Sequence, residues 1–186
     1  MATPTNPLPV EYDAQIVFCY AEAFSKSAGL LFPQLRRGGT PIGRGMIAPK
    51  LPVHISKLAD TAPSAMVDSF ALELYLKCLH MMDHAAPVRG HDLKAIYARL
   101  KPHTRSRLRI NYAAEVSKSP AVATMRKSVR RKFVGFRAYL NVSNLAFVQV
   151  RYLFEGNSSG KQQIAYWPLL RLAARKSVLD IMPEWA

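Results

Sequence analysis

Apolar positions along this chain recur at helical spacing, and no segment alternates apolar and polar residues as a half-buried strand would. The densest stretch runs from Ser64 to His84. Its one polar line is Ser69, Glu73, Lys77, His80 and His84, at spacings of 4, 4, 3 and 4, which puts them on a single helix face. Met66, Val67, Phe70, Leu72, Leu74, Tyr75, Leu76, Leu79, Met81 and Met82 surround that line. A helix that is apolar on most sides belongs in the middle of a core, and this one is predicted to open at Thr61, Pro63 or Ser64.

Ahead of it, Glu11 to Leu31 carries Ile16, Val17, Cys19, Tyr20, Ala23, Phe24, Ala28 and Leu31 between polar residues, the pattern of an amphipathic helix of about five turns. Pro33 to Pro52, with Arg36-Arg37-Gly38-Gly39-Thr40-Pro41 and Gly43-Arg44-Gly45, predicts a long loop. Its glycines follow no strand and end in no Gly-Lys-Ser/Thr, so they match no phosphate-binding fingerprint. After the core helix, Asp92 is positioned to cap a short helix over Leu93–Leu100, and Pro102 to open another that reaches about Glu115. Ser117 to Pro120 reads as a break. Val122, Met125, Val129, Phe133, Phe136 and Leu140 then form one seam at spacings of 3, 4, 4, 3 and 4. Phe147, Val150 and Phe154 continue it past an expected kink or restart at Asn141 to Asn144. Gly156 to Gly160 is a turn. Pro168 opens a last helix to about Asp180, with Leu172, Ala173 and Leu179 inward. The prediction is an all-α, up-and-down bundle of four to five main helices, with a long loop between the first and second. Residues 1–10 are expected to be a flexible lead and residues 11–186 one domain.

Composition narrows the setting. The chain has 186 residues, 49% of them apolar, enough for a core of its own. No apolar run reaches the ~18 residues of a bilayer span, because Asp68, Glu73 and Lys77 interrupt the best candidate, so no membrane partner is expected. Met1 to Val10 lacks the basic start of a secretory signal. Cys19 and Cys78, both in apolar helical segments, are expected to be buried thiols in a reducing, cytoplasmic setting. Charge changes the picture most. The formal net charge is +14, and Leu93 to Phe154 holds fourteen Lys and Arg against one acid, Glu115. So concentrated a field points to a polyanion partner, nucleic acid first and an acidic protein second.

Three short motifs stand in order along the chain. They are Phe70-Ala71-Leu72-Glu73-Leu74-Tyr75-Leu76-Lys77, then Gly90-His91-Asp92-Leu93, then Ala146-Phe147-Val148-Gln149-Val150-Arg151-Tyr152-Leu153-Phe154-Glu155. Together they resemble the HEPN superfamily of small helical proteins across roughly residues 60–180. The resemblance implies a four- or five-helix bundle that forms a homodimer, in toxin–antitoxin, phage-defence or RNA-processing systems. It also implies, for the ribonuclease branch, an Arg followed after four to six residues by a His. None of His54, His80, His84, His91 and His103 stands so. Arg99 and His103 come nearest, with three residues between them, and they are the candidate catalytic pair of a divergent metal-independent ribonuclease.

The remaining constellations are read against simpler roles. Glu73 and Lys77 have the favourable order for a helix ion pair. On so apolar a helix they are expected in a structural polar network with His91 or Asp92 and with Arg151, Tyr152 or Glu155. His80 and His84 share a face but lack the third and fourth ligands of a zinc site. No metal and no cofactor is predicted. Arg126-Lys127-Ser128-Val129-Arg130-Arg131-Lys132 puts like charges on shared faces with no acid to relieve them. Arg126, Lys127, Arg130, Arg131 and Lys132, extended by Arg105, Arg107, Arg109 and Arg137, make the candidate nucleic-acid face, binding through phosphates. An acidic protein docking on the same face is the alternative.

Overall fold

The computed structural model describes residues 13–36, 53–119, 135–151 and 168–186, and within these every side chain except those of 32–36, 53–62, 142 and 145–151. All regular structure among the described residues is helical. The helices are α1 (Ala14–Arg36), α2 (Val53–His84), α3 (Leu93–Arg99), α4 (Pro102–Lys118), α5 (Phe136–Arg151) and α6 (Leu169–Leu179), followed by a 3-10 turn at Pro183–Trp185. None of them is long and apolar enough to cross a membrane.

α2 is the axle. At 32 residues it is about 48 Å long, and α1, α3, α5 and α6 all pack on it. Ala71, Leu72, Tyr75, Leu76, Cys78 and Leu79 are buried, and buried Glu73 and His80 carry the covered arc past half of the helix circumference. Each buried Leu contributes about 1.5–3 kcal/mol. α2 also begins eight residues or more before the predicted start, because Pro63 lies inside it and does not open it. Proline inside a helix removes one backbone hydrogen bond and crowds the preceding turn, and here the helix continues through it. Beyond His84, Ala85 adopts a left-handed φ of 51° and ends the helix. Gly90, at φ 94°, turns the chain toward α3. A side chain there would have room, so the conformation is what calls for glycine.

α1 lies along α2 through Phe18 and Tyr75, whose ring centroids are 5.9 Å apart, and through Phe24 edge-on to Phe70 at 4.7 Å. The buried side of α1 is Phe18, Ala21 and Ala28. Ile16, Cys19, Tyr20 and Ala23, expected inside, are exposed. The helix carries apolar residues on two faces, and α2 takes only one. Cys78 is buried as expected, and burial pushes its thiol up to about 12, whereas Cys19 is exposed. That corrects the expectation of two buried thiols.

α3 and α4 start where their capping residues predict. Asp92 Oδ1 accepts from Lys94 N at 2.9 Å and Ala95 N at 3.1 Å. Pro102 occupies the first turn of α4, which runs one turn past Glu115. Tyr112 meets Phe136 and Tyr139, and Tyr97 meets Phe136, so α5 seats its first turn between α3 and α4. The expected restart at Asn141 to Asn144 does not occur, as α5 is continuous through it. Asn144 instead serves α3, where its Oδ1 accepts from Leu93 N at 2.6 Å and satisfies the first amide of that helix. α6 closes the bundle with Leu169, Leu170, Ala173, Ala174 and Val178 buried, while Leu172 and Leu179 are half-buried. α1 runs to Arg36, into the start of the predicted loop, and α2 starts at Val53, where that loop was expected to end. The rest of it, the lead at residues 1–10 and the Gly156 to Gly160 turn lie outside the described residues.

Candidate nucleic-acid interface

Helix phase decides where the cations of α4 point. At about 100° per residue, Arg105 and Arg109 lie on the flank of Tyr112, the side that meets α5, where Arg137 follows Phe136. Arg107 lies on the other flank, that of Asn111, which donates to Ser177 Oγ at 3.0 Å and Asp180 Oδ2 at 2.8 Å on the α6 side. Arg107 is close enough there to help hold the Asp180 carboxyl below its usual range. Burial opposes that shift, and hydrogen bonds from Lys176 and Asn111 drive it. The three arginines of α4 therefore do not form one row. Arg105 and Arg109 share one flank of α4, and Arg107 lies on the opposite one.

Lys94, Arg99, Lys101, Arg109 and Arg137 are exposed and Arg105 is half-buried. Among the described residues none of these six side chains has an ion pair. Arg105 Nε is itself buried without a hydrogen-bond partner. Among the described residues the one Lys or Arg of α3, α4 and α5 with an ion pair is Lys118, 3.2 Å from Glu115. The strongest sequence candidates, Arg126, Lys127, Arg130, Arg131 and Lys132, lie outside the described residues, as do Val122, Met125, Val129 and Phe133.

A polar joint ties α2 to the α3–α4 corner. Asp83, buried near the end of α2, accepts from Lys101 N at 2.7 Å and from the Thr104 hydroxyl at 2.6 Å. The first turn of α4 has no side-chain cap of its own, and Asp83 supplies one from another helix. His80 Nδ1 donates to the Ala86 carbonyl at 3.1 Å, and His84 Nε2 donates to the Arg99 carbonyl at 2.9 Å. Burial holds the His80 imidazole below its usual range, and nearby His84 and Arg99 add to that. The exposed ring of His103 stands 3.5 Å from Asp83. No contact joins the Arg99 side chain to His103 among the described residues, so the candidate catalytic pair stands on one corner without forming a unit.

Of the expected polar network, the structure brings together Glu73, Lys77 and His91. Glu73 is fully buried, 2.7 Å from Lys77 Nζ, and accepts from His91 Nδ1 at 3.0 and 3.1 Å. Asp92 is not part of it, because capping α3 occupies its carboxylate. The Arg151 side chain, Tyr152 and Glu155 lie outside the described residues. No group of three His, Cys, Asp or Glu side chains that could hold a metal occurs among the described residues.

The sequence reading missed a second polar cluster, between α1, α2 and α6. Arg171 bonds Asp68 and Ser25. Arg175 grips Glu22 with two hydrogen bonds, at 2.7 and 3.2 Å, and the Tyr75 hydroxyl donates to Glu22 at 2.6 Å. Burial pushes the Glu22 carboxyl up, but the bonds from Arg175 and Tyr75 outweigh it and leave the group below its usual range. Asp68 is the opposite case: burial outweighs Arg171 and leaves its carboxyl raised. The charged groups here are spent on one another, so the cluster clamps three helices and offers nothing to a ligand. In sequence its only trace was an acid or base inside an apolar stretch.

The chain matches no family model, and neither characterised proteins nor solved structures show a relative of it.

Proposed function

We propose that this protein binds RNA or a similar polyanion through phosphate contacts along the α3–α4–α5 edge. One observation carries the reading: Lys94, Arg99, Lys101, Arg105, Arg109 and Arg137 stand on α3, α4, α5 and the α3–α4 joint, and no acid pairs with any of them among the described residues. Cations held for stability alone are normally interspersed with acids. Unpaired guanidinium groups favour bidentate contact with phosphate oxygens. Such contacts read backbone charge, so binding is sequence-tolerant. The likeness of the three motifs to HEPN proteins supports a role beside RNA in defence or toxin–antitoxin systems. Gel retardation of RNA across a salt series tests the proposal. Log affinity is expected to fall linearly with log salt, and a slope near zero would sink it in favour of an acidic protein partner.

A second reading has one observation of its own. Asp83 lies behind the exposed His103, an arrangement that orients an imidazole for proton transfer. In a metal-independent ribonuclease, His103 would move the proton while Arg99 balanced phosphate charge. Total RNA incubated with the protein in EDTA would then be cut, and cut far less by His103→Ala. Intact RNA with both proteins removes this reading and leaves binding untouched.

A further inference from the structure

The last turn of α2 holds the corner where α3 passes into α4. His80 Nδ1 donates to the Ala86 carbonyl, and His84 Nε2 donates to the carbonyl of Arg99, the last residue of α3. Asp83, between them in sequence, accepts from Lys101 N and the Thr104 hydroxyl. Each histidine bond needs a single N–H, which a neutral imidazole supplies. The two rings lie close together, with centroids 4.6 Å apart and planes tilted by 36°. His80 is only 8% exposed.

We infer that the two imidazoles form an acid-operated latch: neutral, they fasten the end of α2 to the α3–α4 corner, and protonated, they let that corner open. Three observations support it. First, a proton on each ring sets two positive charges 4.6 Å apart, and at His80 little water is present to screen them. Second, the surroundings oppose charge. Among the described residues, the charged and titratable groups that act on His80 are His84 on its own helix, Arg99 on α3, and Asp83. Asp83 alone favours the proton, and it already serves Lys101 N and Thr104 and faces His103 of α4 at 3.5 Å. Lys77, one turn before His80, is tied to Glu73. The carbonyl end of α2 favours a cation, yet burial and the positive neighbours leave the His80 imidazole below its usual range. Third, that direction fixes the sign. The ordinary histidine value is 6.5, so the open corner takes up a proton more readily than the closed one. The latch is therefore fully fastened above about pH 6.5 and loosens as pH falls through the lower, folded value. Because Arg99 and Lys101 stand on this corner, the latch sets whether those two cations are held in place.

The latch does not depend on polyanion binding, so it is tested on protein freed of nucleic acid. The readout is hydrogen-exchange protection of the Lys101 amide, corrected for the intrinsic pH dependence of exchange. Between about pH 7.5 and about pH 5.5, that protection is expected to fall about tenfold or more, while amides of α6 keep theirs. His80→Asn with His84→Gln puts a side-chain amide N–H where each ring N–H stood, and neither amide takes a proton. The double variant is expected to match the wild type at the higher pH and to keep its protection at the lower one. Titration of the ring carbons by NMR reads the wild type directly, and His80 is expected to charge only below its ordinary value. A Lys101 amide that ignores pH, an equal fall in the double variant, or a His80 ring that charges at or above 6.5 each overturns the inference. A fall shared by α6 overturns it too, because that is unfolding of the whole chain. So does a fall abolished by His103→Gln alone, which would assign the response to the Asp83–His103 contact.

Discussion

Two groups of helices around α2 use charge in opposite ways. In the group of α1 and α6, Arg171, Arg175 and Lys176 each hold a carboxylate, those of Asp68, Glu22 and Asp180. In the group of α3, α4 and α5, six cations hold none among the described residues. The first arrangement consumes charge to fix helices in register. The second leaves charge facing outward, at a cost in self-repulsion. A side chain's type therefore says little about its role here, and the presence of a partner acid says most.

Breaking the first group should have the largest effect. Arg171→Met strands Asp68 in a buried site, and a loss of about 3–5 kcal/mol is expected in urea unfolding. The double change Asp68→Leu with Arg171→Met should recover most of it, because an apolar pair needs no partner. At the joint between α2 and the second group, Asp83→Ala leaves Lys101 N and the Thr104 hydroxyl unsatisfied, and about 1–2 kcal/mol should be lost in the same measurement. In the cationic group the contrast reverses. Arg105→Gln with Arg109→Gln should change stability by under about 0.5 kcal/mol, yet lower the salt slope for single-stranded RNA by about 1.4, two contacts at roughly 0.7 each. Lys176→Gln should leave that slope unchanged, and an equal drop with Lys176→Gln would erase the distinction between the two groups.

The smallest effect is in acid. Folded Glu22 releases its proton more readily than the ordinary value of 4.5, so the unfolded chain binds more protons in that range. Stability from Glu22 is present above about pH 4.5 and is lost as pH falls through the lower folded value. Asp68, raised from 3.8, works in the reverse sense. Glu22→Gln should therefore flatten the acid loss of stability, measured as urea midpoints between neutral and acid pH.

Much of the architecture was legible because its signals are local. Asp92 and Pro102 mark the starts of α3 and α4 within a residue, and the polar line through Ser69, Glu73 and Lys77 identified the buried helix. Pro63 misled because a breaker's cost of about 3 kcal/mol is one term among many in a helix gripped on several sides. α1 misled because periodicity reports apolar stripes without saying which of two will be covered, so Phe18 went unnoticed while Ile16 and Tyr20 were placed inside. The clamp was illegible for a different reason. Asp68 and Arg171 are 103 residues apart, Glu22 and Arg175 153, and no local pattern encodes such pairing. On the cationic helices, sequence supplied the abundance of charge, but only helix phase could separate Arg107 from Arg105 and Arg109.

The bond from Leu93 N to Asn144 bears on the order in which the molecule assembles. A helix of seven residues is too short to persist alone in water, and this one borrows an acceptor from a segment made 51 residues later. The Leu93 amide should then exchange with solvent at the rate at which the later helix undocks, and α3 should be among the last parts of the chain to acquire its final shape.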